Sequence, residues 1–196
     1  KYPEVSVQLQ IHSTRRTGWS VANGQIDIAI IGGQLPLELN ESLEVIPFAT
    51  DELALVLPTN HQLAKSKELK KEDLYSLKFI TLDNQSTTRK VVDQLLSSSG
   101  LDVQRLHIEM ELNSLEAIKN AVQSDLGAAF LPVVSIEREL SGGSIHRPIV
   151  ADLEVKRELK VITNPGRYSS RAAEAFTQDI LPLFASSFSP LFNTQD

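Results

Sequence analysis

Short runs of Ser, Thr and Asn precede three predicted helices, and a helix start of this composition is suited to binding an anion. The runs are Ser13-Thr14, Ser86-Thr87-Thr88 and Asn113-Ser114. At a helix N-terminus, backbone N–H groups without intrahelical partners and the positive end of the helix dipole point to the same place. Hydroxyl donors add hydrogen bonds to a carboxylate or phosphate placed there. Each run could equally be only a helix cap, a role for which these residue types are preferred.

Arginines stand beside two of these runs and are candidate charge partners for the anion. Arg15 and Arg16 follow the first run, and Arg89 follows the second. A guanidinium can bind a carboxylate or phosphate through two parallel hydrogen bonds. We expect Arg15 and Arg89 to take this role, and at least one of the adjacent pair Arg15 and Arg16 to be solvated on a helix face.

Phe130 is a candidate apolar wall for the same ligand. It lies in the segment 127–132, which is opened by a Gly and closed by a Pro and reads as a short buried strand. An aromatic side chain at the end of a strand gives a small ligand a surface to pack against. Packing into the hydrophobic core is the alternative interpretation of the same residue.

The sequence offers no recognisable catalytic or metal-binding motif. It has no Gly-x-Gly-x-x-Gly, no phosphate loop, no Gly-x-Ser-x-Gly, no grouped His and carboxylate set, and no cysteine. The 25 acidic residues exceed the 19 basic ones, which gives a net charge of −6 and disfavours nucleic-acid binding by these residues. No apolar run reaches membrane-spanning length. We therefore expect no enzyme activity, no cofactor, no metal, no membrane association and a cytoplasmic protein.

The apolar pattern of residues 5–31 predicts a strand, a helix and a strand in a parallel βαβ unit. Four apolar side chains alternate with polar ones, as in a half-buried strand: Val5, Val7, Leu9 and Ile11. A helix from about Thr14 to Asn23 should end at Gly24. The nearly continuous apolar run 26–31 is typical of a strand that is covered on both faces.

A second α/β series follows. Strands are predicted at 52–57, 79–82, 106–112, 127–132, 145–150 and 153–162, a charged helical turn at 71–77, and a last helix at about 170–184. Helices should begin after Ser86-Thr87-Thr88 and after Asn113, and Asn113 with Glu116 fits a capping box. The tail after Ser186 keeps three apolar residues, and we therefore expect it to pack rather than fray: Phe188, Leu191 and Phe192. The hydroxyl runs then follow strand ends, which is where ligands bind in such sheets.

Several motifs occur in the order that is characteristic of one family. They are Asn23-Gly24-Gln25-Ile26-Asp27-Ile28-Ala29-Ile30, Asp51-Glu52-Leu53-Ala54-Leu55-Val56-Leu57-Pro58 with His61 and Leu63-Ala64, Ser86-Thr87-Thr88-Arg89, and Asp125-Leu126-Gly127-Ala128-Ala129-Phe130-Leu131-Pro132. No one of them is specific alone. Together they make nearly the whole chain resemble the effector-binding domain of LysR-type transcriptional regulators.

A finer resemblance points to one branch of that family. It is carried by His12-Ser13-Thr14-Arg15-Arg16, Glu109-Met110-Glu111-Leu112-Asn113-Ser114-Leu115-Glu116-Ala117-Ile118-Lys119 and Asn164-Pro165-Gly166-Arg167-Tyr168. These segments are similar to regulators of Rubisco and inorganic-carbon genes in cyanobacteria and plastids.

The resemblance implies an α/β fold with two Rossmann-like subdomains and a hinge, similar to type 2 periplasmic binding proteins. Subdomain I would comprise residues 1–53 and 164–196, and subdomain II residues 54–163. Family members carry a further strand and helix before Tyr2-Pro3, and the turn between them supplies one Ser/Thr-rich wall of the effector cleft. We expect that strand, that helix and the DNA-binding helix-turn-helix to be missing from this chain.

The resemblance also implies what the domain does. A small anionic metabolite would bind between the subdomains, held by Ser13, Thr14, Arg15, Ser86, Thr87, Thr88, Arg89, Asn113, Ser114 and Phe130. The candidates are 2-oxoglutarate, ribulose bisphosphate, 2-phosphoglycolate and NADPH. The protein would be a homodimer or tetramer and would contact DNA only through its helix-turn-helix. An exported solute-binding protein of a transporter is the alternative, because it would share the fold and the cleft.

Overall fold

The chain passes twice between two compact units. A computed structural model describes residues 2–84 and 86–188. One unit comprises Lys1–Thr50 and Glu158–Asp196, and the other comprises Asp51–Arg157. The sequence-based prediction places the crossings at 53/54 and 163/164. We call the two units unit 1 and unit 2.

Unit 1 has a small core between a helix and short strands. Helix α1 (Thr14–Ala22) is capped by Ser13, and Gly24 follows it with φ +70°, as expected for a helix end. Strand β1 (Ala29–Ile31) is shorter than the predicted 26–31. Strand β2 (Glu44–Pro58) begins well before the predicted residue 52 and continues into unit 2. The core of unit 1 consists of Val21, Ile31, Leu39, Leu43 and Ile162.

The predicted strand at residues 5–11 does not form. These residues have no regular secondary structure, and Val7, Leu9 and Ile11 are 72%, 86% and 86% exposed. An alternating pattern gives a strand only where a neighbouring strand pairs with the backbone and an apolar surface covers one face. Neither is provided by the residues that the structure describes, so the βαβ unit predicted for residues 5–31 is wrong.

Unit 2 contains most of the regular structure. Its elements are β3 (Glu68–Leu69), β4 (Lys78–Leu82), α2 (Thr87–Ser98), β5 (His107–Leu112), α3 (Leu115–Gln123), β6 (Ala129–Pro132), α4 (Glu137–Ser141), β7 (Ile145–His146), β8 (Ile149–Val150) and β9 (Lys156–Thr163), the last of which continues into unit 1. A 3₁₀ turn at Lys71–Ser76 matches the predicted charged turn. The two strands predicted at 145–150 and 153–162 are shorter and interrupted.

The second predicted βαβ series is confirmed around β4 and β5. These strands pair in parallel, with Leu82 opposite Leu112, and α2 connects them. Phe79 forms a parallel bridge with Ala128, just before β6. Strand β6 itself pairs antiparallel with β2, and β1 pairs antiparallel with β9, so the fold contains both parallel and antiparallel strand pairs.

Alternate residues of β2 face two separate cores, which explains its continuous apolar run. Leu55 and Leu57 pack with Phe79 and α2 in one cluster, whereas Val56 packs with α3 and Leu131 in the other. Burial on both faces is typical of a strand that has helices on each side. Strand β2 thereby packs against residues of α2 on one face and of α3 on the other.

After β9 the chain returns to helix, close to the prediction. Ser170 caps α5 (Arg171–Ala175), a π-helical turn spans Phe176–Ile180, and α6 (Leu181–Phe188) follows. The predicted packing of Leu191 and Phe192 lies outside the described residues, as do the side-chain contacts of Phe188. None of the described helices is both long and apolar enough to cross a membrane.

Candidate functional site

The start of α2 presents a run of three hydroxyl side chains, Ser86, Thr87 and Thr88. Ser86 is extended, with φ −64° and ψ 128°, and its Oγ accepts a hydrogen bond from the Arg89 N–H at 3.4 Å. Ser86 is therefore the helix cap, which is the alternative interpretation that the sequence left open. Thr87 and Thr88 are the first two helical residues and are both half-buried.

The start of α3 lies beside the start of α2. Because β4 and β5 are parallel neighbours and the Asp83 N–H donates to the Leu112 carbonyl at 3.2 Å, both strands end at one edge. The capping box predicted at Asn113 and Glu116 is wrong: Ser114 is the cap, and its Oγ accepts from the Ala117 N–H at 3.5 Å. Asn113 stands one residue too early to reach that donor and is exposed.

Arg89 is already engaged by acidic and polar groups. Its Nε donates to both carboxylate oxygens of Asp93 at 2.9 and 2.8 Å, and its Nη1 lies 3.5 Å from Oε1 of Glu111. Nη1 also donates to Oγ1 of Thr81 and to the Leu82 carbonyl, the latter at 3.4 Å. An anion at the start of α2 would therefore compete with two carboxylates for this guanidinium.

Thr88 contacts a second arginine that the sequence did not single out. Nη1 of Arg157 donates to Oγ1 of Thr88 at 2.9 Å. The same guanidinium donates through Nε to Oδ2 of Asp51 at 2.8 Å, and its Nη2 lies 2.7 Å from that oxygen. Asp51 and Arg157 are only 3% and 14% exposed, so this is a buried ion pair joining β2 to β9.

Phe130 and the start of α2 border one recess within unit 2. The recess, about 430 Å³ including its solvent-open mouth, is lined by Phe79, Ile80, Thr81, Leu82, Thr88, Arg89, Val92, Asp93, Leu96, Leu106, Ile108, Ile118 and Phe130. Its polar lining comes from Thr81, Thr88, Arg89 and Asp93. The Phe130 ring stacks on Phe79 with centroids 6.0 Å apart, so Phe130 both packs and lines the recess.

The remaining candidates belong to unit 1. Oγ of Ser13 accepts from the Arg16 N–H at 3.5 Å and caps α1. Thr14 is 7% exposed, whereas Arg15 and Arg16 are both exposed. An exposed Arg15 has the environment expected for a solvated arginine on a helix face.

Unit 2 thus brings together Ser86, Thr87, Thr88, Arg89 and the cap at Ser114 along one strand edge, with Phe130 nearby. Sequence reasoning missed Asp51 and Arg157. Asp51 lay inside a quoted motif without being assigned a role, and Arg157 stands 69 residues from Thr88, a separation that no local pattern reveals.

The titratable groups with clear pKa shifts, Lys119 and Glu139, form a separate network that links α3 to α4. Nζ of Lys119 lies 2.9 Å from Glu116, 2.9 Å from Glu139 and 3.0 Å from the Ser135 carbonyl. The hydrogen bonds that the Lys119 ammonium donates to Glu116 and Glu139 raise the pKa of Lys119, and the one to Glu139 lowers the pKa of that carboxyl. These groups satisfy a buried ammonium, which is a structural role.

Sequence comparisons agree with the resemblance. The model of the LysR substrate binding domain family matches residues 1–184. Proteins named probable RuBisCO transcriptional regulator are 62% identical in Trichormus variabilis, 58% in Synechocystis sp. and 56% in Porphyra purpurea, each over 95% of this chain. The chain spans 55%, 54% and 59% of those relatives. The predicted family and its branch are thereby confirmed.

Solved structures show the same fold. The Synechocystis PCC6803 CcmR regulatory domain in complex with 2-PG matches with a TM-score of 0.78 at 22% identity, over 97% of this chain and 86% of that one. The effector-binding domain of QuiR in complex with shikimate matches with a TM-score of 0.72 at 21% identity, over 90% and 79%. The predicted α/β fold, similar to periplasmic binding proteins, is confirmed by these matches.

Proposed function

We propose that this chain, which belongs to the LysR substrate-binding domain family, senses a small anionic metabolite and catalyses no reaction. Its relatives are named as transcriptional regulators, which favours a regulator over the exported solute-binding protein. In a longer protein of the same kind, the domain would pass its ligand-bound state to DNA binding, and the protein would act as a cytoplasmic homodimer or tetramer. DNA would be contacted through a separate helix-turn-helix.

The observation that carries the proposal is the pairing of two helix starts at one strand edge. The N-termini of α2 and α3 both follow parallel strands, and each is at least nine residues long. Unpaired backbone N–H groups and helix dipoles at such starts favour negative charge. Thr87, Thr88 and Arg89 add side-chain donors at the first of them. The chemistry of this edge therefore fits a carboxylate or a phosphate better than a neutral or cationic ligand.

We propose 2-phosphoglycolate as the first effector to test. It carries both a phosphate and a carboxylate, and each group can accept several hydrogen bonds. CcmR, whose structure contains 2-PG, shares the fold of this chain. The other candidates are 2-oxoglutarate, ribulose bisphosphate and NADPH, all of which carry at least two anionic groups. Ser13, Thr14 and Arg15 in unit 1 are proposed as further ligand residues, on the basis of the sequence.

Calorimetric titration of the 196-residue chain with the four candidates tests this function. We expect saturable binding of at least one of them with a stoichiometry near one. D-glucose, a neutral polyol, serves as the control ligand and should give no binding heat. Absence of saturable binding for all four anions, in a chain shown to be folded by its unfolding transition, would contradict the proposed function.

A further inference from the structure

Arg157 holds the Thr88 hydroxyl in one hydrogen-bonding role. Its Nη1 donates to Oγ1 of Thr88 at 2.9 Å, so a lone pair of that oxygen is already committed. A hydroxyl has one hydrogen to donate and two lone pairs to accept with. Among the residues that the structure describes, no acceptor takes the Thr88 hydrogen. The Thr88 hydroxyl, which lines the recess, can therefore donate its hydrogen to a ligand.

Asp51 in turn fixes Arg157. Two nitrogens of the guanidinium lie 2.7 and 2.8 Å from Oδ2 of Asp51. The other oxygen, Oδ1, is buried and accepts no hydrogen bond from the described part of the chain. The carboxylate therefore depends on Arg157 for its compensation, and the guanidinium cannot rotate away without leaving a buried charge unpaired.

We propose that Arg157 is a positioning residue for effector binding, which orients the Thr88 hydroxyl so that it donates to the bound anion. This inference rests on the proposed function and names a residue that positions one of the ligand-binding groups of the proposed site. Arg157 acts through Thr88 and is itself held by Asp51. An anion needs donors, and a Thr hydroxyl that was free to rotate would have to be ordered when the ligand bound. Prior orientation removes part of that ordering cost.

A purely structural ion pair is the competing interpretation, because Asp51 and Arg157 also join β2 to β9. The two interpretations differ in how Arg157 and Thr88 combine. If Arg157 acts on the ligand through Thr88, the effects of changing both residues on affinity are not independent. If the ion pair only stabilises unit 2, changes at Arg157 alter the unfolding transition and leave affinity changes at Thr88 unaffected.

The test is a double-mutant cycle with 2-phosphoglycolate as the probe, measured by calorimetry on the 196-residue chain. The variants are Thr88→Val, Arg157→Lys and the double variant. Lys keeps the positive charge that Asp51 needs, but a single ammonium lacks the fork that reaches Asp51 and Thr88 together. We expect each single variant to weaken the affinity for 2-phosphoglycolate about tenfold. The double variant should bind at most about twofold more weakly than either single variant, because both changes remove the same hydrogen bond to the ligand.

Two further variants keep the test independent of folding. Thr88→Ser leaves the ion pair intact and retains the oxygen that accepts from Arg157, so we expect affinity within about threefold of the unchanged chain. Arg147→Lys alters an arginine that pairs with Glu52 near the surface of the same unit and should leave binding unchanged. Unfolding transitions of all variants identify any that lose the fold.

The outcomes separate this inference from the proposed function. If the unchanged chain binds 2-phosphoglycolate but the effects of Thr88→Val and Arg157→Lys simply multiply, Arg157 is a structural residue and the inference is wrong. The inference is also wrong if the Arg157→Lys variant binds 2-phosphoglycolate as tightly as the unchanged chain. If the Arg157→Lys variant unfolds, the inference is wrong when Thr88→Ser, which keeps the hydroxyl and the ion pair, loses binding. If the unchanged chain binds none of the four anions, the proposed function fails first.

Discussion

The Nε atom of Arg89 lies 2.8 Å from Oδ2 of Asp93, the residue one helical turn further along α2. Glu111 on β5 approaches the same guanidinium at 3.5 Å. Arg89, which lines the recess at the proposed anion site, is therefore partly neutralised before any ligand arrives. For the proposed sensing function, this competition would keep affinity moderate, since the anion must displace or share an existing partner.

Asp93→Asn should strengthen binding of an anionic effector. Removing the carboxylate charge leaves the Arg89 guanidinium less compensated, and we expect affinity for 2-phosphoglycolate to rise about three- to tenfold at low salt. Calorimetry measures the change. Glu154→Gln, in an exposed pair with Lys156, is the control for a general change of net charge. If Asp93→Asn raises the affinity for 2-phosphoglycolate no more than Glu154→Gln does, Arg89 does not contribute to binding of the ligand.

The Arg89 and Asp93 pair also shows what could be read from the sequence. An Arg and an Asp four residues apart on a predicted helix are neighbours. The competition between Asp93 and an anionic ligand for Arg89 could therefore be predicted from the spacing alone. The helix starts at Ser13-Thr14 and at Ser86-Thr87-Thr88 were predicted because a helix start is encoded within a few residues. Arg157 could not be linked to Thr88 in this way, because only the folded sheet brings residues 69 positions apart into contact.

The failure at residues 5–11 has a different physical origin. The alternation of Val7, Leu9 and Ile11 with polar residues is a correct description of an amphipathic segment. A strand also needs a partner for its backbone and a surface for its apolar face, and sequence periodicity contains neither. Helix α1 follows directly and was predicted closely, since its hydrogen bonds lie within the segment itself.

Glu139→Gln should reduce stability in a pH-dependent way. The folded pKa of Glu139 lies below its ordinary value of 4.5, so its contribution is full above pH 4.5 and is lost as pH falls through the folded value. We expect a loss of about 1–2 kcal/mol at pH 7, because a charged hydrogen bond to Lys119 is weakened. Urea unfolding at several pH values should show that the difference in free energy of unfolding between Glu139→Gln and the unchanged chain becomes smaller below pH 4.5.

Glu116→Gln is the matched control for that experiment. Glu116 contacts the same Lys119 at 2.9 Å, but its side chain is 73% exposed, compared with 18% for Glu139. Exposed ion pairs contribute little to stability, so its loss should be clearly smaller. Equal losses for the two variants, or a Glu139→Gln difference that persists unchanged in acid, would contradict the assigned network.

Gly127→Ala should destabilise unit 2 through a backbone clash. A Cβ at this position would lie 2.5 Å from the Lys78 carbonyl oxygen, which accepts from the Ala128 N–H at 2.8 Å. Neither backbone can move without breaking the contact between β4 and the start of β6. We expect a loss of about 2 kcal/mol or more in the free energy of unfolding, measured with urea.

Gly100→Ala separates steric from conformational cost. Gly100 has φ +88° and open space where a Cβ would stand, so Ala there costs about 1 kcal/mol for the left-handed backbone alone. A Gly127→Ala loss no greater than that of Gly100→Ala would show that the sheet can relax around the added methyl group.

The isolated chain should not bind operator DNA specifically. Its net charge of −6 opposes association with a polyanion. A gel-shift titration with the promoter of a Rubisco operon should show no complex that survives competition by unrelated DNA. A sequence-specific complex formed by these residues would contradict the assignment of DNA binding to another part of the protein.

The central claim is that hydroxyl groups at the helix starts bind the anion rather than only capping helices. Calorimetric titration of 2-phosphoglycolate into the 196-residue chain and its Thr88→Ala and Thr14→Ala variants tests this most directly, with Ser98→Ala on the exposed end of α2 as control. Loss of one hydrogen bond to a charged ligand should weaken binding by about 1.5–3 kcal/mol, or about ten- to a hundredfold. We predict that loss for both threonine variants and none for Ser98→Ala. If both threonine variants bind as tightly as the unchanged chain, these hydroxyls have only a structural role and the anion binds elsewhere.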